Sequence, residues 1–124
     1  MQFEKLDIWK RSSRLACDIY ILMKDCRDFG FKDQITRSAL SIPSNITEGE
    51  ERETSKESAR FFYYSKGSAG ELVTQLYIGA RIGYIENNTS KRLISEAKEI
   101  SSMIASMIKI RKGFVKEQDV EYNN

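Results

Sequence analysis

The side chains that could carry chemistry in this sequence are acidic, basic and hydroxyl groups, because the chain contains no histidine. Histidine is the commonest general base and transition-metal ligand in proteins, so standard di-iron chemistry in a helical bundle is excluded. Glu48, Glu50, Glu51 and Glu53 could in principle hold Mg²⁺. Their polar neighbours and their position after Gly49 favour a solvated acidic turn instead. We therefore predict no catalytic residue, no metal and no cofactor.

Two further patterns resemble chemical sites without meeting their requirements. The segment 66–71 is rich in glycine, but it lacks the Gly-Lys-Ser/Thr ending of a phosphate-binding loop and no strand precedes it. Several serines are available as nucleophiles, yet there is no histidine to activate them and no lysine at a spacing typical of a Ser-Lys pair. These serines are interpreted as surface or capping residues: Ser12, Ser13, Ser38, Ser41 and Ser44.

Basic residues recur at helical spacing, although the 20 Lys and Arg are nearly balanced by 18 Asp and Glu, for a net charge of +2. This bulk charge indicates no particular partner. Repeated around a symmetric oligomer, however, even a modest basic patch becomes a belt that can neutralise several phosphates of a polyanion. The candidates for such contacts are Lys10, Arg11, Arg14, Lys109, Arg111 and Lys112.

The elements that position these residues are predicted to be helices of one domain. The chain has 124 residues, one proline and seven glycines, which favours long helices over strands. Apolar residues recur every three or four positions in four segments, 6–28, 33–49, 54–83 and 87–113, separated by short turns. We predict an all-α, antiparallel up-and-down four-helix bundle over residues 1–113, followed by a polar, disordered tail over residues 114–124. No window approaches a membrane span, so a cytoplasmic location is expected.

Particular residues mark the predicted helix ends and irregularities. Phe29-Gly30-Phe31 is predicted to end the first helix with its aromatic rings buried, and Thr54 to cap the third helix through the Glu57 amide. Pro43 is predicted to kink the second helix. Cys17 and Cys26 are interpreted as core or boundary residues, and Trp9 as an aromatic anchor at one end of the bundle.

Small residues in the third helix indicate close packing, because each glycine inside a helix costs roughly 0.5–1 kcal/mol relative to alanine. The neighbour could be a helix of the same chain or one of another subunit, and the sequence leaves both possibilities open. The packing candidates are Gly67, Ser68, Gly70 and Glu71.

These residues together resemble a known family. The matching positions are Phe3, Leu6, Ile8-Trp9-Lys10, Gln34-Ile35, Arg37-Ser38-Ala39, the run from Ser41 to Gly49, Gly67-Ser68, Glu71-Leu72 and Gln75-Leu76. The chain resembles the four helix bundle protein family, also called the 23S rRNA intervening-sequence proteins. Thr47 stands where this family usually has alanine, which does not affect the expected fold.

The resemblance implies a bacterial helical bundle that assembles as a homopentameric ring, in a family whose members mostly have no assigned activity. A relative similar in fold, the accessory protein of diversity-generating retroelements, binds nucleic acid and a reverse transcriptase through a basic surface. The sequence-level hypothesis is a non-enzymatic homo-oligomer that binds RNA or DNA backbone. The alternatives are a protein-interaction adaptor and, third, an enzyme with a carboxylate–Mg²⁺ site between subunits.

Overall fold

The computed structural model describes residues 1–123, with side chains described for residues 1–113, and its regular structure in that range is entirely helical. A short 3-10 helix, Gln2–Lys5, precedes the four long ones. These are α1 (Asp7–Leu22), α2 (Phe29–Glu51), α3 (Ser55–Arg81) and α4 (Asn87–Asn123). The all-α four-helix fold predicted from the sequence is confirmed.

The four helices form a closed ring around one apolar core. α1 packs against α2 and α4, and α3 packs against the same two helices from the other side. Each helix buries its apolar stripe in the centre, as expected for amphipathic helices. The largest fully buried side chains include Leu15 and Ile19 of α1, Ile35, Ile42 and Ile46 of α2, Phe62, Leu72 and Leu76 of α3, and Leu93, Ile100 and Ile104 of α4.

Hydrogen bonds between α2 and α3 fix the register of that pair. The Ser41 and Ser68 hydroxyl oxygens lie 2.8 Å apart, and Ser38 donates to Glu71 Oε2 at 3.4 Å. The partner number on α3 falls as the number on α2 rises, so these two helices run in opposite directions. The up-and-down order of the remaining pairs stays a prediction.

The predicted end of the first helix is wrong. α1 ends at Leu22, and Phe29 begins α2 with 72% of its surface exposed. The Asp28 side chain accepts a hydrogen bond from the Phe31 amide at 3.1 Å, which makes Asp28 the N-cap of α2. Leu22, Met23 and Cys26 keep helical spacing beyond the end of α1, so periodicity alone could not reveal the break.

Other local predictions have mixed outcomes. Thr54 Oγ1 accepts from the Glu57 amide at 3.2 Å, which confirms the cap of α3. Trp9 packs against the core, and its indole donates to Thr47 Oγ1 at 3.1 Å, as expected of an anchor. Cys17, by contrast, is exposed on α1. α2 continues through Pro43, and the predicted kink stays a prediction.

The C-terminal part of α4 extends beyond the predicted domain boundary at residue 113. The tail predicted over residues 114–124 lies outside the described side chains, so that boundary stays a prediction. Among the described residues, no helix combines the length and apolar character that crossing a bilayer requires.

Candidate nucleic-acid interface

Arg11, one of the six basic candidates, forms ion pairs with carboxylates of α4 at the surface of the bundle. Its Nε donates to Glu96 Oε1 at 2.9 Å, and its Nη1 donates to Glu99 Oε1 at 3.1 Å. The two carboxylates raise the pKa of Arg11, and the guanidinium in turn lowers the pKa of Glu99. Arg11 therefore ties α1 to α4, and its charge is largely neutralised.

Arg111 is similarly engaged. Its guanidinium pairs with Glu50 of α2, and the two side chains are only 25% and 13% exposed. The guanidinium also lies 5.8 Å from the ring centroid of Phe62, a contact that favours a cation. The Arg111 guanidinium is therefore occupied by contacts within the bundle.

A cleft of about 450 Å³ separates α1 from α4, but its charges balance. Three guanidinium groups and three carboxylates line it: Arg11, Arg14, Arg92, Asp18, Glu96 and Glu99. A polyanion that entered this cleft would meet as much negative as positive charge. The cleft does not favour phosphate binding.

The remaining candidates lie on two different helices. Lys10 and Arg14 are exposed on α1, and Lys109 and Lys112 are exposed on α4. The structure thus divides the six predicted residues between two paired arginines and two separate pairs of exposed cations. A binding surface is expected where one of these exposed pairs lies close to further basic residues.

Two lysines of α4 lie directly against tyrosines of α3. The Lys112 ammonium is 4.9 Å from the centroid of the Tyr63 ring. The Lys98 ammonium is 5.8 Å from the centroid of the Tyr77 ring and 3.4 Å from its hydroxyl oxygen. The tyrosines are fourteen residues apart and so are the lysines, which places the two pairs about 21 Å apart along the helices.

Other exposed lysines lie on the same side of these helices. Lys66 is three residues from Tyr63, and Lys109 is three residues from Lys112, which puts each on the side of its neighbour. Both are exposed. We call this surface the basic face and define it by six residues: Tyr63, Lys66, Tyr77, Lys98, Lys109 and Lys112.

The carboxylates of α3 and α4 point away from the basic face within the described residues. Glu71 contacts Ser38 of α2, whereas Glu96 and Glu99 contact α1 through Arg11. The only other carboxylate of α3 is Glu57, in its first turn. Among residues 1–113, four ammonium groups therefore share one side of α3 and α4 without a carboxylate of these helices between them.

Sequence reasoning identified two of the six residues, Lys109 and Lys112. It missed Tyr63, Tyr77 and Lys98 because their partners lie on another helix, and Lys66 because its place on this surface follows from Tyr63. One signal was available: Tyr63 and Tyr77 repeat at two heptads, as do Lys98 and Lys112, so each pair keeps to one side of its helix.

The four packing candidates of α3 also fall into two groups. Ser68 and Glu71 face α2, where they bond to Ser41 and Ser38, so their contacts lie within the chain. A Cβ added at Gly67 or Gly70 would meet nothing within 4 Å. Packing within the chain therefore does not explain these two glycines.

The α2–α3 contact brings together the residues on which the family resemblance rests. Ser41 and Asn45 of α2 bond to each other at 2.8 Å, and Ser41 bonds in turn to Ser68 of α3. The model of the 23S rRNA-intervening sequence protein family matches residues 4–106. The chain belongs to this family. Membership accounts for the fold, but the family description names no activity.

A solved structure supports the same fold. The chain is 24% identical to a protein of unknown function from the S23 ribosomal protein family of Bacteroides thetaiotaomicron VPI-5482, with a TM-score of 0.78. The match covers 82% of this chain and 98% of that one. No curated protein matches the chain.

Proposed function

We propose that this family member is a non-enzymatic homo-oligomer that binds the phosphate backbone of RNA or DNA through the basic face. The observation that carries the proposal is the set of four exposed lysines on α3 and α4, between which no carboxylate of these helices lies within residues 1–113. The lysines are Lys66, Lys98, Lys109 and Lys112.

The arrangement favours phosphates over base edges as the bound groups. Lysine ammonium groups are compact point charges on flexible stems, which suits sequence-independent phosphate contact. Lys98 and Lys112 lie along one side of α4, so a strand following this helix would meet several cations in succession. Each phosphate contact releases counterions, and binding is therefore expected to weaken steeply with salt.

Self-association is supported by apolar side chains exposed at one end of the bundle. Ile21 and Phe29 are exposed where α1 ends and α2 begins, and Ile78 and Ile82 are exposed near the end of α3. A second copy that covered these side chains would gain hydrophobic free energy. The homopentamer implied by the family resemblance would repeat the basic face around a ring and multiply its phosphate contacts.

The test is a fluorescence-anisotropy titration of labelled RNA and DNA at two salt concentrations, with the mass of the protein checked by light scattering. Two double variants remove the same charge from different surfaces: Lys98→Gln with Lys112→Gln on the basic face, and Lys10→Gln with Arg14→Gln on α1. Each reduces the formal net charge from +2 to zero. The first is expected to lower the salt slope by about 1.4 for a single strand, and the second to leave it unchanged.

The results separate the proposal from its main rival. Loss of binding only in the α1 variant would move the interface to Lys10 and Arg14. No binding by the unmodified protein at low salt would refute the proposal. That outcome would favour a protein-interaction adaptor, a candidate that the exposed apolar end of the bundle also supports.

A further inference from the structure

Resting on the proposed function, we propose that the basic face binds single-stranded nucleic acid, with Tyr63 and Tyr77 as two stacking platforms for unpaired bases. The inference concerns which form of nucleic acid is bound. A surface made only of lysines would not distinguish single strands from duplexes by stacking, whereas exposed aromatic rings can.

The two rings are available to a ligand. Tyr63 is 46% exposed and Tyr77 is 55% exposed, and neither ring is part of the apolar core. Both belong to α3, an element held by the core along most of its length. The platforms are therefore rigidly placed, which lowers the entropy lost when a base stacks on them.

Each ring is paired with a cation that can contact the phosphate of the same nucleotide. Lys112 lies 4.9 Å from the Tyr63 ring centroid, and Lys98 contacts Tyr77 at both its ring and its hydroxyl. With these lysines in place, about half of each tyrosine remains exposed, which leaves surface for a base. Aromatic stacking combined with a basic track is the usual composition of surfaces that bind single strands.

The surface between the two pairs carries small residues at its midpoint. Gly70 lies midway between Tyr63 and Tyr77, and a Cβ there would meet nothing within 4 Å. Ala105 lies at the corresponding midpoint between Lys98 and Lys112. Small residues at both midpoints leave room for intervening nucleotides to pass between the platforms.

Stacking on both tyrosines requires unpaired bases. In a duplex the faces of the bases are covered by their neighbours, so a ring fixed on a helix surface can reach them only after unstacking, which costs a few kcal/mol per step. A single strand can instead turn one base towards each ring. We therefore expect the single strand to bind more tightly than a duplex of the same sequence.

The experiment measures the affinity of the full chain for four labelled 20-nucleotide probes. These are a single-stranded RNA, a single-stranded DNA of the same sequence, and the two corresponding duplexes. Tyr63→Leu and Tyr77→Leu remove stacking while keeping apolar bulk, and the Phe variants restore the ring. Tyr64→Leu is the matched control, because Tyr64 is also exposed on α3 but its ring contacts Phe61. Circular dichroism checks that each variant is folded.

Each Leu variant is expected to weaken single-strand binding by about 5- to 150-fold, with the Phe variants and Tyr64→Leu close to the unmodified protein. The salt slope is expected to stay unchanged in the Leu variants, because no charge is removed. Comparison of the two single strands shows whether a ribose 2′-hydroxyl contributes.

Two outcomes would overturn the inference in distinguishable ways. Equal affinity for single strands and duplexes, with no effect of the Leu variants and a steep salt slope, would refute stacking but leave phosphate binding intact. Absence of binding to all four probes at low salt would refute the proposed function and this inference together.

Discussion

Gly79 is packed so closely that adding one methyl group there should destabilise the bundle. A Cβ at this position would lie 2.7 Å from Ile85 Cδ1 and 3.1 Å from Phe31 Cζ. Ile85 is buried and the Phe31 ring makes an edge contact with Tyr84, so a shift of either side chain disturbs existing packing. Gly79→Ala therefore forces either a side chain or α3 to shift.

The magnitude follows from two opposing effects. Overpacking a well-filled site typically costs about 1–3 kcal/mol. Replacing a glycine inside a helix by alanine returns about 0.5–1 kcal/mol through helix propensity. Gly67→Ala, also inside α3, has the same second effect without the first, because a Cβ at Gly67 would meet nothing within 4 Å. The difference between the two variants should be about 1–3 kcal/mol.

Urea unfolding followed by circular dichroism measures this difference, at one protein concentration because self-association changes apparent stability. Gly67→Ala should be slightly more stable than the unmodified protein, and Gly79→Ala less stable than Gly67→Ala, with similar m-values. Equal stability of the two variants would refute the close packing at Gly79. A loss of stability in Gly67→Ala would mean instead that another surface covers Gly67.

Three further predictions concern one helix cap and two sets of ion pairs between helices. Thr54→Ala should destabilise the protein by about 1 kcal/mol and Thr54→Ser by much less in thermal unfolding, because serine keeps the cap of α3. Arg11→Gln should lower the free energy of unfolding at neutral pH. The difference from the unmodified protein should shrink as the pH falls below the ordinary pKa range of glutamate. The reason is that Arg11 lowers the pKa of Glu99, and the pair stabilises the fold only while that carboxylate is ionised. Arg111→Ala should cost about 1–3 kcal/mol in urea unfolding because it leaves Glu50 mostly buried and unpaired, and Arg111→Ala with Glu50→Ala should recover part of that loss.

The buried face of each helix could be predicted from the sequence, because burying one face makes apolar residues recur every three or four positions. Ile35, Ala39, Ile42 and Ile46 follow at intervals of four, three and four, and all four are fully buried. The end of α1 could not be predicted in the same way. No glycine or proline marks it, and the apolar spacing continues past Leu22 into the turn.

The candidate interface was harder to predict because it depends on which helices are neighbours. Arg11 and Arg111 are as basic in sequence as Lys109, but their carboxylate partners lie 85 and 61 residues away. The pairing of Tyr77 with Lys98 likewise depends on the register between α3 and α4. A one-dimensional pattern identifies the side of a helix, whereas the tertiary structure decides what that side faces.

The ion pairs of Arg11 also have a consequence for how the chain folds. The contacts between α1 and α2, between α2 and α3 and between α3 and α4 join segments that follow one another, so their loops close at little entropic cost. Closing α1 onto α4 instead requires ordering nearly the whole chain between them. We expect the contact between α1 and α4 to form last, so that removing the Arg11 contacts accelerates unfolding more than it slows folding.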